Sequence, residues 1–412
     1  MHHEPAFRPS GGDSRVSQQP RRRSRTALLL SLTAAGLVAT GAPALADTAS
    51  AAAAQAPAAN AFTQTNLVAN TSSAHASLVD PNLTNAWGLA AGPSSPLWVS
   101  DNNSGDVTAY TGGIKGSAVS LGLTVSLPGG NATGQVFNSD SSAFPVGGTS
   151  GKAADFIVDS DSIGSAQSPG EIAAWDGGAQ FVVEDSPTGG AGGKTPAKAV
   201  FKGLAMATNP TAGPELFAAD VANATVDVFG KDFNLLKTPT EFRDPKIPAD
   251  YAPFGIDNLG GDIYVAYGKQ NKQKNDVVPG RGLGYVDVYN VNGQLLRHLV
   301  SAGPRSPLDA PWGLTIAPAG FGPFAGDLLV GNLGNGWINA FSPKTGKHLG
   351  TLDGTNGYPL TINELWGLQV GNSSFGGSSA VVFSAGPDNY NDGLVGTLTP
   401  AGQASGTKRH MA

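Results

Sequence analysis

Several polar side chains stand shortly before glycine-containing apolar runs or within them, where they could hold a ligand. They are Asn85, Lys202, Tyr251, Asp309 and Glu364. Ca²⁺ takes about six to eight hard oxygen ligands, which Asn, Asp and Glu can supply. We expect these side chains to cap strands or bind ordered water in a polar channel. The alternative is a Ca²⁺ site formed by Asn85, Asp309 and Glu364.

A second polar set follows other apolar runs in the chain. It consists of Asp101, Asn102, Asp159, Asp161, Asp220, Asn332 and Asp388. Side chains of this kind can accept hydrogen bonds from the backbone amides of the next turn. We expect that structural role for the set, with metal binding as the alternative.

The side chains needed for nucleophilic or general-base catalysis are scarce. The chain has no cysteine and no Gly-x-Ser-x-Gly motif. His298 and His348 are predicted in outermost strands, so only His75 could approach a channel from its mouth. These residues favour binding over catalysis without excluding either.

The elements that would position these residues recur along the chain. Residues 311–352 contain four short apolar runs separated by turn residues, which is typical of four antiparallel strands. Weaker copies can be aligned on glycines spaced 46 to 69 residues apart, namely Gly88, Gly134, Gly203, Gly255, Gly313 and Gly367. This repeat predicts an all-β fold, a six-bladed β-propeller.

The propeller prediction has three structural consequences. The aligned glycines should lie on innermost strands, where a side chain would collide with its neighbours. The Trp or Phe before several of them should wedge between adjacent blades. The last blade has no evident fourth strand, so we predict that residues 62–68 supply it and close the ring.

Targeting and charge limit the possible partners. Residues 1–46 read as an export signal, with Sec and twin-arginine export both open, and residues 47–61 as a flexible leader. Cleavage would remove six arginines and two acids, leaving 19 basic and 29 acidic residues. A net charge of −10 disfavours nucleic acid. We expect a secreted monomer with a propeller domain over 62–400, a loose tail over 401–412 and no membrane span.

Several segments together resemble a known family. They are residues 80–89, 224–229, 311–314, 331–341, 385–388 and 393–396. The ordered set resembles uncharacterised secreted bacterial proteins related to NHL-repeat propellers, some of which carry an exosortase-type (PEP-CTERM) sorting tail. The resemblance implies an NHL-like six-bladed fold and export, and it supplies no catalytic residues. This chain lacks the sorting tail, which suggests release.

Two functional hypotheses follow. The main one is a non-catalytic binding module that recognises a carbohydrate, a peptide or a cell-surface partner through loops. The alternative is a Ca²⁺-dependent hydrolase or lyase of the lactonase type, since six-bladed lactonases and gluconolactonases resemble this plan with a central metal. Whether the protein is an enzyme is left open by the residues themselves.

Overall fold

The computed structural model describes residues 60–148, 150–161, 170–185, 198–236 and 241–402. The predicted export signal lies outside the described residues, as do most of the predicted leader and tail. Within the described ranges the only helices are three short 3-10 turns, Ser72–Ala74, Ile114–Gly116 and Gly322–Phe324. None of the described helices is long and apolar enough to cross a bilayer.

The strands of the described residues fall into six sheets, which we number as blades in chain order. Before the first blade come β1 (Ala61–Ala69) and β2 (Leu78–Val79). Blades one and two contain β3 (Ala86–Ala90), β4 (Leu97–Asp101), β5 (Asp106–Thr111), β6 (Ser120–Ser126), then β7 (Ala132–Phe137), β8 (Phe156–Ser160), β9 (Ile172–Trp175) and β10 (Val182–Asp185). Blades three and four contain β11 (Phe201–Asn209), β12 (Gly213–Asp220), β13 (Thr225–Gly230), β14 (Leu235–Leu236), then β15 (Tyr251–Leu259), β16 (Asp262–Lys269), β17 (Tyr285–Tyr289) and β18 (Leu295–Val300). Blades five and six contain β19 (Pro311–Ile316), β20 (Leu328–Asn332), β21 (Ile338–Phe341), β22 (His348–Thr351) with the short β23 (Asp353–Gly354), then β24 (Leu365–Val370), β25 (Val381–Ala385) and β26 (Leu394–Pro400).

The predicted six-bladed propeller is confirmed. Each of blades one to five is a four-stranded antiparallel sheet whose strands follow one another in sequence order. Successive side chains of a strand pack against the blades on either side. Val226 and Val228 on β13 pack with blade four, whereas Phe229 packs with blade two. The core is therefore a ring of inter-blade layers.

The aligned glycines lie on the innermost strands, as predicted. A Cβ added to Gly255 would come within 2.9 Å of the Trp312 Cα in blade five. A Cβ on Gly367 in blade six would come 2.8 Å from the Trp87 carbonyl oxygen in blade one. These separations are below any normal contact, so the backbones can approach only where the side chain is absent. The contact between blades six and one also closes the ring.

The N-terminal strand supplies the fourth strand of blade six, which confirms the predicted closure. β1 pairs antiparallel with β26, from Phe62 opposite Pro400 to Ala69 opposite Leu394. Phe62 is buried, and its ring lies 4.8 Å from that of Phe321 in the preceding blade. Pairing and burial together stabilise this edge.

Candidate functional site at the channel mouth

In four blades an aromatic residue stands before the innermost glycine, and its ring meets the others at the centre of the molecule. Trp87 of blade one stacks on Trp366 of blade six with ring centroids 3.4 Å apart, and Trp312 of blade five meets them edge-on at 6.0 and 5.8 Å. Phe254 of blade four lies 6.0 Å from Trp366. Non-adjacent blades can touch only across the axis. These four residues, the aromatic plug, therefore fill the channel instead of wedging between adjacent blades as expected.

Little space remains in the channel beyond the plug. A cavity of about 70 Å³ follows the innermost strands, lined by five of the six aligned glycines, with Gln135 and Asp257 among its polar groups. Ligand pockets usually measure about 300–1,000 Å³. Burial raises the pKa of Asp257 to about 7, although the backbone amide of Asn258 lowers it. The cavity is too small for an organic substrate.

Blade three places a lysine where blades one, four, five and six place aromatic rings and blade two places a threonine. Lys202 Nζ lies 2.5 Å from Asp161 Oδ2, 3.8 Å from Asp276 Oδ2 and 4.9 Å from the centre of the Trp87 ring. Burial lowers the pKa of Lys202, but the Asp161 and Asp276 carboxylates more than offset this and raise it. Lys202 thus stays an ammonium ion, which is not a nucleophile. The sequence singled out Lys202 and Asp161 separately, with no sign that they pair.

Two of the three predicted metal ligands already have partners inside the protein. The Asn85 amide oxygen accepts a hydrogen bond from the Trp366 indole at 3.1 Å, and its amide nitrogen donates to Asn102. Asp309 Oδ1 accepts a hydrogen bond from the Gly280 amide at 2.6 Å. No hydrogen bond among the described residues joins any two of Asn85, Asp309 and Glu364. The Asn85 oxygen and one Asp309 oxygen are therefore already engaged inside the protein.

Glu364 lies in a different setting, beside other carboxylates. Burial raises its pKa, and the nearby Asp388 carboxylate raises it further. Residues 388–390 all adopt left-handed backbone, with φ of 59°, 54° and 66°. Asn103 holds this segment by donating a hydrogen bond to the Tyr390 carbonyl at 2.6 Å. Such backbone is uncommon outside glycine and recurs at ligand-binding loops.

This backbone sets Tyr390 over the plug. Its ring centroid lies 6.1 Å from that of Trp366, and the residue is 38% exposed. Burial raises the pKa of Tyr390, and the Asp276 and Glu364 carboxylates raise it further, which shows that the three side chains are neighbours. We call Asp276, Glu364 and Tyr390 the mouth rim. Sequence reasoning missed Tyr390, because a lone aromatic residue in a polar loop carries no spacing signal.

The loop over 269–281 contributes to the rim more than its composition indicates. Its lysine-rich composition is typical of a solvated loop. In the structure Gln270 and Val277 are buried, and the Gln270 amide donates a hydrogen bond to the Val221 carbonyl at 2.6 Å. The loop thereby turns Asp276 toward Lys202.

Members of the second polar set have different structural roles. Asp220 accepts hydrogen bonds from the Ala222 and Asn223 amides, as expected for a turn-binding side chain. Asp159 instead accepts from Thr133 and Gly134 on the adjacent innermost strand. The same sequence position therefore serves turns in one blade and strand alignment in another.

Six sheets in a closed ring, with a plugged channel and a loop-built mouth, define the class of this protein as a six-bladed β-propeller. The chain belongs to the same family as "Uncharacterized protein R648" of Acanthamoeba polyphaga mimivirus, to which it is 30% identical over 345 residues, 81% of this chain and 78% of that protein. "Uncharacterized protein L690" of the same virus is 36% identical over 204 residues, 48% of this chain and 51% of that protein. No protein-family model matches the chain. Bacterial origin and secretion remain predictions.

Solved structures share the fold at low identity. An α-L-arabinofuranosidase from Fusarium graminearum has a TM-score of 0.49 at 11% identity, covering 83% of this chain and 98% of its own. The soluble aldose sugar dehydrogenase from Escherichia coli has a TM-score of 0.47 at 11% identity, covering 82% and 99%. A protein described as a putative gluconolactonase has a TM-score of 0.44 at 15% identity, covering 76% and 89%.

Proposed function

We propose that the protein is a secreted, non-catalytic binding module that recognises its partner at the channel mouth. The aromatic plug carries this proposal, because it fills the centre of the ring, where a channel-based enzyme would place its metal and substrate. The reactive groups beside it are also occupied. Lys202 is paired with Asp161, and the Asn85 oxygen accepts from Trp366.

The mouth rim indicates the chemistry of the partner. Tyr390 presents a partly exposed ring, which can pack against the apolar face of a sugar. Asp276 and Glu364 beside it can accept hydrogen bonds from hydroxyl groups. We infer a carbohydrate ligand. The alternative is a basic peptide segment, which the Asp276 and Glu364 carboxylates would also attract.

Binding of the full chain to a glycan array, followed by calorimetry with the glycans retained, tests this proposal. Tyr390→Ser and Glu364→Gln should each lower affinity at least about tenfold. Tyr358→Ser is the matched control, since Tyr358 is 71% exposed but lies outside the rim. Equal losses at Tyr358 and Tyr390, or binding only to basic peptides, would contradict the carbohydrate assignment. Turnover of any captured glycan would contradict the non-catalytic one.

A Ca²⁺-dependent hydrolase or lyase is the second candidate, favoured by the repulsion between the Glu364 and Asp388 carboxylates, which a cation would relieve. Its ligands would be Asn85, Asp309 and Glu364. It predicts a higher melting temperature in Ca²⁺ than in EDTA, lost in both Glu364→Gln and Asp309→Asn. A shift unchanged in these variants would exclude this site.

A further inference from the structure

Three ligand-type side chains converge on one point in blade four, away from the channel. His298 Nδ1 lies 2.7 Å from Asp244 Oδ2 and 2.9 Å from Asp287 Oδ1. Asp287 and His298 are direct cross-strand partners on β17 and β18. Asp244 arrives from the connection that precedes β15. A histidine and two carboxylates therefore meet at the outer side of the blade.

The converging atoms are buried and contact only one another. In the described part of the chain, Asp244 Oδ2, Asp287 Oδ1 and His298 Nδ1 have no hydrogen-bond partner outside the cluster. Both aspartate side chains are 0% exposed, and that of His298 is 15% exposed. Each atom depends on the others for a partner, since a buried polar atom without one is costly. Three buried ligand atoms that meet at one point, with no partner outside the cluster, mark a position that a cation could occupy.

The opposite atom of each side chain is held by a further contact. Asp244 Oδ1 accepts from the Lys246 amide at 2.8 Å, and His298 Nε2 lies 2.8 Å from Ser301 Oγ. Asp287 Oδ2 accepts from the Tyr289 hydroxyl at 3.2 Å. Outer contacts of this kind orient the ligands of a metal site and fix the histidine tautomer. Here they leave Nδ1 and one oxygen of each carboxylate facing one another, without a partner outside the cluster.

The ligand set and its charge favour a particular class of ion. Imidazole suits Zn²⁺ and other transition metals, and carboxylates complete such sites. Two buried carboxylates beside one imidazole favour a divalent cation, whose charge they would balance. Three protein ligands and a partly exposed histidine leave a fourth position for water.

We propose that Asp244, Asp287 and His298 form a binding site for a divalent transition-metal ion of the Zn²⁺ type. The ion would replace the direct contacts between His298 and the two carboxylates. It also separates their ligand atoms by about half an ångström, to the spacing of a tetrahedral site. The site lies in one blade between two strands and a loop, so its occupancy would brace the outer edge of blade four.

Calorimetric titration of the chelator-treated full chain with ZnCl₂ at neutral pH, with Co²⁺ absorption as a second readout, tests the site. We expect one tight Zn²⁺ per chain, no competition by excess Ca²⁺, and visible Co²⁺ bands of a four- or five-coordinate site. His298→Gln should lower Zn²⁺ affinity at least about 100-fold and abolish the bands. His348→Gln, on the outermost strand of blade five, is the matched control and should change neither.

Equal Zn²⁺ affinity in the unmodified chain and in His298→Gln would overturn the proposal, as would effective competition by Ca²⁺. Circular dichroism checks that His298→Gln is folded, and Asp244→Asn replaces it if it is not. The unmodified chain is decisive by itself, because a Co²⁺ spectrum like that of the hydrated ion would mean that the three groups share only a proton.

Discussion

Lys202 and Asp161 form an ion pair whose side chains are 2% and 0% exposed, and whose partners are 41 residues apart in sequence. The Asp161 carboxylate depends on Lys202, because removal of the lysine would leave it buried without solvent or a counter-charge. Breaking a buried pair of this kind typically costs about 3–5 kcal/mol.

Lys202→Met should therefore lower the free energy of unfolding by about 3–5 kcal/mol. The loss should be smaller when Asp161→Asn is added, since no unpaired carboxylate then remains at that position. Urea unfolding of the single and double variants measures this coupling. Lys269→Met is the control: its pair with Asp250 is largely exposed and should change stability by no more than about 1 kcal/mol. Simple additivity of the two core substitutions would argue against the coupling.

Gly255→Ala should destabilise the ring by more than about 2 kcal/mol, because the new methyl group would overlap the backbone of Trp312 in the next blade. Backbone cannot rotate away as a side chain can. The control is Gly178→Ala, whose Cβ would meet nothing nearer than 3.5 Å. Thermal melting compares the two, and a similar melting temperature for both variants would refute the steric account of the innermost strands.

Phe62→Ala should destabilise the closing strand by about 3–5 kcal/mol, the usual cost of truncating a buried phenylalanine. Its neighbours on the same strand, Thr63 and Thr65, are exposed, so Thr63→Ala serves as the control. Hydrogen exchange of β26 should rise in Phe62→Ala, since β1 is its partner. Unchanged protection of β26 would mean that β1 contributes little to closure.

The stability of the protein should fall as pH rises from about 4 to 7. Burial raises the pKa of Asp159 to about 7, although hydrogen bonds from Thr133 and Gly134 lower it. An aspartate in an unfolded chain has a pKa of about 3.9, so the folded state holds an extra proton between these values. The associated stability is fully present below the lower pKa and is lost as pH rises through the higher one.

Asp159→Asn should remove this contribution, flattening the dependence by about 1.4 kcal/mol per pH unit within that window. Urea unfolding at several pH values measures the slope. The exposed Asp155, substituted by Asn, is the control and should leave the slope unchanged. A slope in Asp159→Asn equal to that of the unmodified chain would show that Asp159 is ionised in the folded state.

Much of the fold could be predicted from sequence because its determinants are local or periodic. Alternating apolar residues indicate where the strands lie. The aligned glycines mark the innermost strands, where the backbones of adjacent blades come close. The sequence of blade six contains only three evident strands, and residues 62–68 form a further strand-like run. Together they predicted the ring closure by pairing of β1 with β26. Strand identity depends on a residue and its near neighbours, which the sequence displays directly.

The sites depended on tertiary structure, because their members come from different blades. Trp87, Trp312 and Trp366 were visible as repeat residues, but only the radius of the ring makes them meet on the axis. The same packing occupies the Asn85 oxygen, which the residue type alone suggested as a metal ligand.

The sequence by itself determined a six-bladed all-β ring and where its strands, glycines and closing segment lie. Tertiary structure alone decided that Lys202 pairs with Asp161, and that His298, predicted to be remote from any channel, meets Asp244 and Asp287. The physical reason is the sequence separation of the residues that interact. Backbone pattern is encoded over a few residues, whereas the charge, burial and spare hydrogen-bonding capacity of a side chain are set by neighbours that only the closed ring brings together.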